Sequence, residues 1–416
     1  MRCTEEEKTI HHCGEGSSKG ILFLDVEGGF GGSSRSLYYF IQNMNMERFS
    51  PVVIVRKMGP VVDKYKALGV PCFVLRNMPK FRPGRRKRPV SFGIFLFQVL
   101  RLYRVLPRIK EIIHRYHIKL VHVNHESLGL VGFIISKCFN VPWTCHIRTL
   151  LVPGFFARFV YRTINKYAKR IVFITDQNMV HFAALVGRSF DMRKMSVVYN
   201  VCPEFDEGVS PLPLLNNIRD RFKVLSLSNF SYNRGIDRII EVAEELKKKG
   251  RRDFSFFLFG HSANRSLIHG RKGSYTDEMI RKVKEKELEE MVFFPGHTHE
   301  PERALAGADA LIKLTREANP WGRDIIEGLM AGCPIITLGA YQGFVEHGVN
   351  GYIELEYDPA RIADYLVQIR DNKGLADRIR ISNREKARRL FDGKINAMKL
   401  EAVFNRLLGP NGFSNE

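Results

Sequence analysis

The sequence predicts an α/β protein made of two Rossmann-like, doubly wound domains facing each other across a cleft. Three observations predict this. Short apolar runs of strand length alternate with longer segments of helical period along most of the 416 residues. Glycines gather where a run gives way to a helix, first at Gly28-Gly29-Phe30-Gly31-Gly32. The alternation pauses at a stretch with three prolines, Pro203 to Asn217, and then starts again. The length is large for one core, and a 44% hydrophobic composition suits a well-packed globular chain.

In order along the chain, residues 1–19 read as a disordered tail. A first domain is assigned to 20–205, a linker to 206–220, a second domain to 221–395, and a terminal helix to 396–416, able to pack back on the first domain. Ile21 to Val26 is a strand, followed by the glycine loop and a helix from Ser33 to about Asn43. Pro51 to Arg56 and Cys72 to Leu75 are strands around a helix from Val61 to Leu68. Pro79 to Pro89 is a basic loop. Ser91 to His117 is helical, with Pro107 expected to kink or break it. Leu120–Asn124, Trp143–Ile147, Ile171–Thr175 and Ser196–Tyr199 are further strands. After the linker come strands Lys223–Leu227, Phe254–Phe259, Val292–Phe294 and Ala310–Leu314. Helices Gly235–Lys249, Thr276–Glu290 and Glu300–Ala306 lie between them. Helices Pro359–Asp371, Leu375–Phe391 and Asn396–Leu408 close the chain.

Charge narrows the partners. Lys and Arg number 65 against 44 Asp and Glu, a formal charge of +21. Between Lys80 and Lys119 there are 12 basic residues and one acid, Glu111. Such a surface attracts polyanions: nucleic acid, anionic lipid or phosphorylated ligands. No zinc finger, recognition helix or RNA-binding aromatic motif is present, so nucleic acid is not the expected partner. The basic stretch, interleaved with Phe92, Phe95, Phe97, Leu100, Leu102, Tyr103 and Leu106, suits an anionic membrane face. No signal peptide or membrane span is read, which points to a cytoplasmic protein, peripheral on the inner face of a membrane. Seven scattered cysteines without a CxxC pair suit a reducing compartment. His11, His12 and Cys13 are too few ligands for a metal, and none is expected.

Four segments carry candidate chemistry. Asn319 to Gly343 reads as a loop, a helix opening at Gly322, a strand Ile335–Thr337 and a second glycine loop. Free amides at Gly322 can face an anion, and Glu327 falls on the first turns of the helix, within reach of a sugar hydroxyl. Arg234 opens a helix at a strand's carboxyl edge, where a guanidinium can clamp a diphosphate. The Gly31–Gly32 turn lets backbone approach a phosphate or sugar. His146 ends a strand, with Arg148 two residues on. Each has a plain alternative: a tight turn, a solvated arginine, an ordinary helix–strand unit, a structural histidine.

From about residue 20 to 410 these pieces resemble the family 4 glycosyltransferases, which have the GT-B fold. Gly31-Gly32-Ser33-Ser34-Arg35 looks like the family's glycine pair, and Thr144-Cys145-His146 like the strand ending in its acceptor-side histidine. Val198-Tyr199-Asn200-Val201 is similar to its NGV segment without the glycine. Leu225 to Gly235 is similar to its GR…KG loop, with Asn229 for Arg and Arg234 for Lys. Leu258-Phe259-Gly260 and Phe294-Pro295-Gly296 look like the strands flanking the nucleotide base, and Asp309 takes the usual aspartate position. The Glu-x7-Glu motif falls on Asn319 to Glu327, with Asn319 replacing the first glutamate and Glu317 two residues away.

The resemblance implies transfer from a nucleotide-diphosphate sugar to a glycan or lipid-linked acceptor, with retention and without metal or other cofactor. It implies catalytic roles for His146, Arg234 and Glu327. It implies donor contacts from Gly31, Gly32, Asn229, Gly260, Glu317, Asn319, Pro320, Trp321, Gly322 and Arg323. A non-catalytic sugar-nucleotide-binding protein on a degenerate scaffold is the alternative.

Overall fold

The computed structural model describes residues 18–81, 92–150, 153–206, 208–218, 220–261, 265–268 and 271–409. Contacts divide the chain into two compact units. One runs to Tyr199 and takes back the chain from Lys394; the other is Asn200–Gly393.

The first unit holds seven strands: β1 (Lys19–Leu24), β2 (Phe49–Val55), β3 (Cys72–Val74), β4 (Ile118–Val123), β5 (Trp143–Ile147), β6 (Arg170–Phe173) and β7 (Met195–Val197). All pair in parallel, in the order β3-β2-β1-β4-β5-β6-β7. Helices cover both faces of such a sheet, so its strands are apolar throughout rather than alternating. Five consecutive residues of β1 and all five of β5 are buried accordingly. Gly132 shows how tightly a helix lies on the sheet. On helix Gly129–Phe139, a Cβ there would fall 2.4 Å from Val123 Cγ2 and 2.8 Å from the Trp143 ring.

Helix Gly393–Leu408 also packs on this sheet. The Phe404 ring lies 6.0 Å from that of Phe23, 6.2 Å from Phe49 and 5.3 Å from His122. Glu401 Oε1 accepts from the Asn45 amide at 2.7 Å.

The second unit has β8 (Phe222–Leu227), β9 (Phe254–Phe259), the antiparallel hairpin β10 (Arg265–Ile268) and β11 (Arg271–Ser274), then β12 (Val292–Gly296), β13 (Ala310–Lys313), β14 (Ile335–Leu338) and β15 (Gly351–Glu354). Its six-stranded parallel sheet has the order β12-β9-β8-β13-β14-β15.

Several expectations need correction. The helix Phe92–Arg115 runs through Pro107 without ending there. Helices Phe155–Tyr167 and Asp176–Val186 lie where no helix was assigned. The hairpin and β15 were not foreseen. The chain changes unit at Tyr199–Asn200, ahead of the expected linker. Part of that stretch packs on the second unit: Leu212 N donates to Arg303 O, and the Arg303 guanidinium donates to the Ser210 and Pro211 carbonyls. The expected tail 1–19 is too long, since Lys19 already opens β1; residues 1–17, with the His11-His12-Cys13 cluster, and the basic run Arg85–Arg88 lie outside the described residues.

Candidate functional site

Open parallel sheets bind ligands beyond the carboxyl ends of their strands, where the strand order reverses. That point lies between β1 and β4 in the first unit and between β8 and β13 in the second. Most of the expected site residues fall at these two places.

In the second unit, the loop after β8 runs beside the end of β9. Ser228 N donates to Phe259 O, and Phe230 N to His261 O. Gly260 permits this, because a Cβ there would lie 2.0 Å from Ser228 O. Asn229 is exposed on that loop. A 3-10 turn, Tyr232–Arg234, then reaches Gly235, whose φ of +68° starts helix Ile236–Lys248. A Cβ at Gly235 would lie 2.1 Å from Leu314 O, so this turn is pressed against the end of β13. Arg316 fastens the same corner: its guanidinium pairs with Asp237 at 2.5 Å and lies 3.8 Å over the Tyr232 ring. The Arg234 amide donates to Ser231 O at 2.9 Å, but its guanidinium makes no ion pair or hydrogen bond among the described residues, although its charge acts on Lys313.

Lys313 was missed in the sequence. It ends β13, and its Nζ donates to Trp321 O and Asp324 Oδ1, both at 2.8 Å. Burial, before any neighbouring charge, lowers its pKa, and Asp324 opposes that shift. Gly322, with φ of +138°, caps helix Arg323–Ala331 above this pair. A Cβ at Gly322 would lie 2.7 Å from Lys313 Nζ and 2.8 Å from Asp324 Oδ1. The helix N-terminus is therefore held from beneath by a buried cation, with Arg234 nearby. A charged residue inside the apolar run Ala310–Leu314 was the sequence signal for it.

Asn319 takes the first motif position. Its Oδ1 accepts from Thr315 Oγ1 at 2.8 Å, and its amide donates to Glu317 Oε2 at 3.2 Å. Glu317 Oε1 accepts from Asn233 at 3.3 Å, so this exposed carboxylate stands between the two loops. Pro320 and Trp321 are buried. Glu327 is 4% exposed and accepts from Arg323 Nε at 2.8 Å, while Arg323 Nη1 reaches Val201 O at 2.6 Å. Arg323 and Glu327 thus engage each other.

In the first unit, Gly31 and Gly32 are exposed at the start of helix Gly32–Gln42. Beneath them lies a buried polar network. Asn124 Nδ2 donates to Asp25 Oδ1 and to Ser33 O, both at 3.1 Å. Arg148 donates through Nε to Asn124 O at 2.6 Å and through Nη2 to Asn124 Oδ1 at 2.6 Å and His146 Nδ1 at 3.2 Å. The Arg148 amide donates to Glu126 Oε2 at 2.9 Å. Burial pushes the Asp25 carboxyl up to about 6 against the pull of Ser34, Asn124 and Arg148. Burial, then Arg148, pushes His122 down to about 3 and His146 well below the usual range. His146 is fully buried and packs between the rings of Phe40, 6.2 Å away, and His122, 5.8 Å away. Asp25 and Asn124, each ending an apolar run, were not singled out from the sequence.

Among the described residues, no group of three or more His, Cys, Asp or Glu could hold a metal ion. Nor is any helix long and apolar enough to cross a membrane.

Residues 215–386 match the family described as Glycosyl transferases group 1. That region is similar to the group 1 glycosyl transferases. The group 1 region contains Asn229, Arg234, Gly260, Lys313 and the whole Glu317–Glu327 segment. A poly(ribitol-phosphate) alpha-N-acetylglucosaminyltransferase from Staphylococcus aureus (strain COL) is 28% identical over 144 residues, 34% of this chain. The match spans 27% of that relative's length. HepE from Anabaena, solved with UDP-glucose, superposes with a TM-score of 0.72 at 20% identity, over 93% of this chain and 99% of its own. A variant of S. aureus TarM, solved with fondaparinux, alpha-GlcNAc-glycerol and UDP, gives 0.69 at 13% identity, over 93% and 100%. These likenesses, over nearly the whole chain, give it the GT-B fold.

Proposed function

We propose that this chain is a glycosyltransferase that moves a sugar from a nucleotide-diphosphate sugar to a glycan or lipid-linked acceptor, with retention and without metal. The carrying observation is Arg234. It is a guanidinium free of ion pairs among the described residues, at the switch point of a group 1 region, near a helix N-terminus capped by Gly322. Such a cation and the helix amides neutralise a diphosphate as it leaves, by charge fixed in advance. This is the role a metal ion fills in other enzymes.

The HepE complexes with UDP and UDP-glucose support a uridine diphosphate sugar as the first donor to try. The S. aureus relative, named for poly(ribitol-phosphate), supports an anionic or phosphate-linked acceptor, in keeping with the net charge of +21. His146, through Nε2–H, is the group assigned to the donor sugar. Glu327 and the Arg323 it holds are assigned to the ribose side, and the Gly31–Gly32 turn to the acceptor side. The acceptor attacks from the face the leaving group departs; among the described residues no carboxylate pair is placed for a double displacement. The protein works at the inner face of a membrane.

The test is calorimetry against a panel of UDP- and GDP-sugars, for the parent and Arg234→Ala. Saturable binding of one donor, weakened at least about tenfold in the variant, is expected. A folded parent that binds none overturns the reading. Asn229 and Asn319, in place of charged family residues, favour one other reading: a sugar-nucleotide-binding protein without turnover. Donor binding with no transfer to any acceptor and no donor hydrolysis would establish it.

A further inference from the structure

Two helices of the first unit leave large apolar side chains in solvent. On Phe92–Arg115 the outward stripe is Leu96, Phe97, Leu100 and Tyr103, at the spacing of one helical face; Phe97 is 58% exposed and Tyr103 66%. On Phe155–Tyr167, Phe155 is 90% exposed and Phe159 lies one turn further on. The two helices meet through Phe95 and Phe156, whose rings are 6.3 Å apart, so the exposed residues border one another. Contiguous apolar surface of this kind marks an interaction site rather than the scattered exposure of an ordinary surface.

The charge around the patch is predominantly positive, although Arg108 is paired with Glu111 one turn on. Beyond Tyr103 the same face continues into the exposed Arg104, Arg108 and Lys110, and beside Phe159 stand Arg158 and Arg162. From Phe92 to Arg115 the only acid is Glu111, and from Phe155 to Arg170 there is none. A protein partner could cover the aromatics. However, apolar side chains ending in a cationic collar, with no acid inside the patch, match the layered chemistry of a lipid leaflet: hydrocarbon below, anionic headgroups above.

We propose that this face is a membrane-docking surface. Leu96, Phe97, Leu100, Tyr103, Phe155 and Phe159 enter the acyl boundary, and the flanking arginines bind anionic headgroups. It specifies the membrane association proposed above, and it stands on residues distinct from the nucleotide site. Docking requires no donor, so the two readings fail separately.

The experiment is co-sedimentation of the full chain with vesicles of phosphatidylcholine alone or mixed with phosphatidylglycerol, at physiological salt. The variants are Phe97→Ser/Leu100→Ser and Arg104→Ser/Arg108→Ser. All four positions are exposed or at the rim, and circular dichroism checks the fold. The parent is expected to bind the anionic vesicles and to bind phosphatidylcholine more weakly. Each pair of substitutions is expected to weaken anionic binding by about tenfold or more. High salt should abolish binding in the apolar variant but only reduce it in the parent. Undiminished binding in Phe97→Ser/Leu100→Ser overturns the proposal. So does a parent that ignores vesicles but forms a dimer which that variant breaks, since the occupant is then a second copy.

Discussion

Nη2 of Arg148 lies 3.2 Å from Nδ1 of His146. A guanidinium only donates, so Nδ1 accepts and the ring proton resides on Nε2. That Nε2 is buried without a hydrogen-bond partner among the described residues. His146 is therefore fixed as a neutral donor, a state that suits bonding to a hydroxyl rather than taking its proton. The first prediction is that the ring stays neutral between about pH 5 and 8. Nitrogen-labelled histidine spectra should show one Nε2–H tautomer throughout. In Arg148→Met the tautomers should mix and the pKa rise. An imidazolium signal at pH 6 in the parent would refute this.

The same network sets how stability depends on pH. An unfolded His122 takes up a proton below about 6.5, whereas the folded one does not until about 3. Its contribution to stability is therefore lost as pH falls through that window. Asp25 acts in the opposite direction. Folded, it keeps its proton to about 6; unfolded, it releases it near 3.8, so it weakens the fold as pH rises between those values. Asp25→Asn should raise stability at pH 8 by about 1–3 kcal/mol and leave pH 4 nearly unchanged. Urea unfolding at both pH values measures it. An equal change at both would show that the effect is packing.

The Lys313–Asp324 pair is enclosed, with side chains 5% and 13% exposed. Removing one partner strands the other. Lys313→Met should cost about 3 kcal/mol, and Lys313→Met/Asp324→Asn should recover more than half of that. Donor affinity should fall in the single variant, because Gly322 loses the group beneath it. Equal destabilisation in the single and double variants would contradict the pairing.

Gly235 combines a φ of +68° with a closest contact of 2.1 Å for an added Cβ. Gly69 has a φ of +70° with nothing within 4 Å. Gly69→Ala should cost about 1 kcal/mol, and Gly235→Ala more than about 2 kcal/mol, with donor binding impaired because Arg234 precedes it. Thermal unfolding of the two variants separates strain from collision. Equal losses would mean that Leu314 moves freely.

The strands were the legible part of the fold. Trp143–Ile147 and Phe254–Phe259 coincide in prediction and structure, because a strand covered on both faces is an unbroken apolar run. β15 escaped notice because Gly-Tyr-Ile-Glu is short and opens on a glycine. Pro107 does not break its helix: it sits on the exposed side of an amphipathic helix whose inner face still packs. At the site, glycines and lone charges at strand ends pointed to Arg234, Gly322 and His146. Lys313 was signalled by a lone charge in an apolar run, but its partner Asp324 lies across a loop that the run does not reveal; Asn124 matters through Asp25, 99 positions away, and no local pattern records that. The pairing of Arg323 with Glu327 was open to a spacing argument, since four residues along a helix put them side by side.

Phe404 touches Phe23 across some 380 positions of sequence, while the second unit is a single uninterrupted segment. On a ribosome the order of completion therefore inverts the order of synthesis. The second unit can close as soon as its last strand and helices emerge. The first must wait, with the centre of its sheet uncovered at β1, β2 and β4, until helix Gly393–Leu408 arrives. A chain stopped anywhere before that helix leaves the rings of Phe23, Phe49 and His122 bare, a surface for chaperones and proteases to recognise.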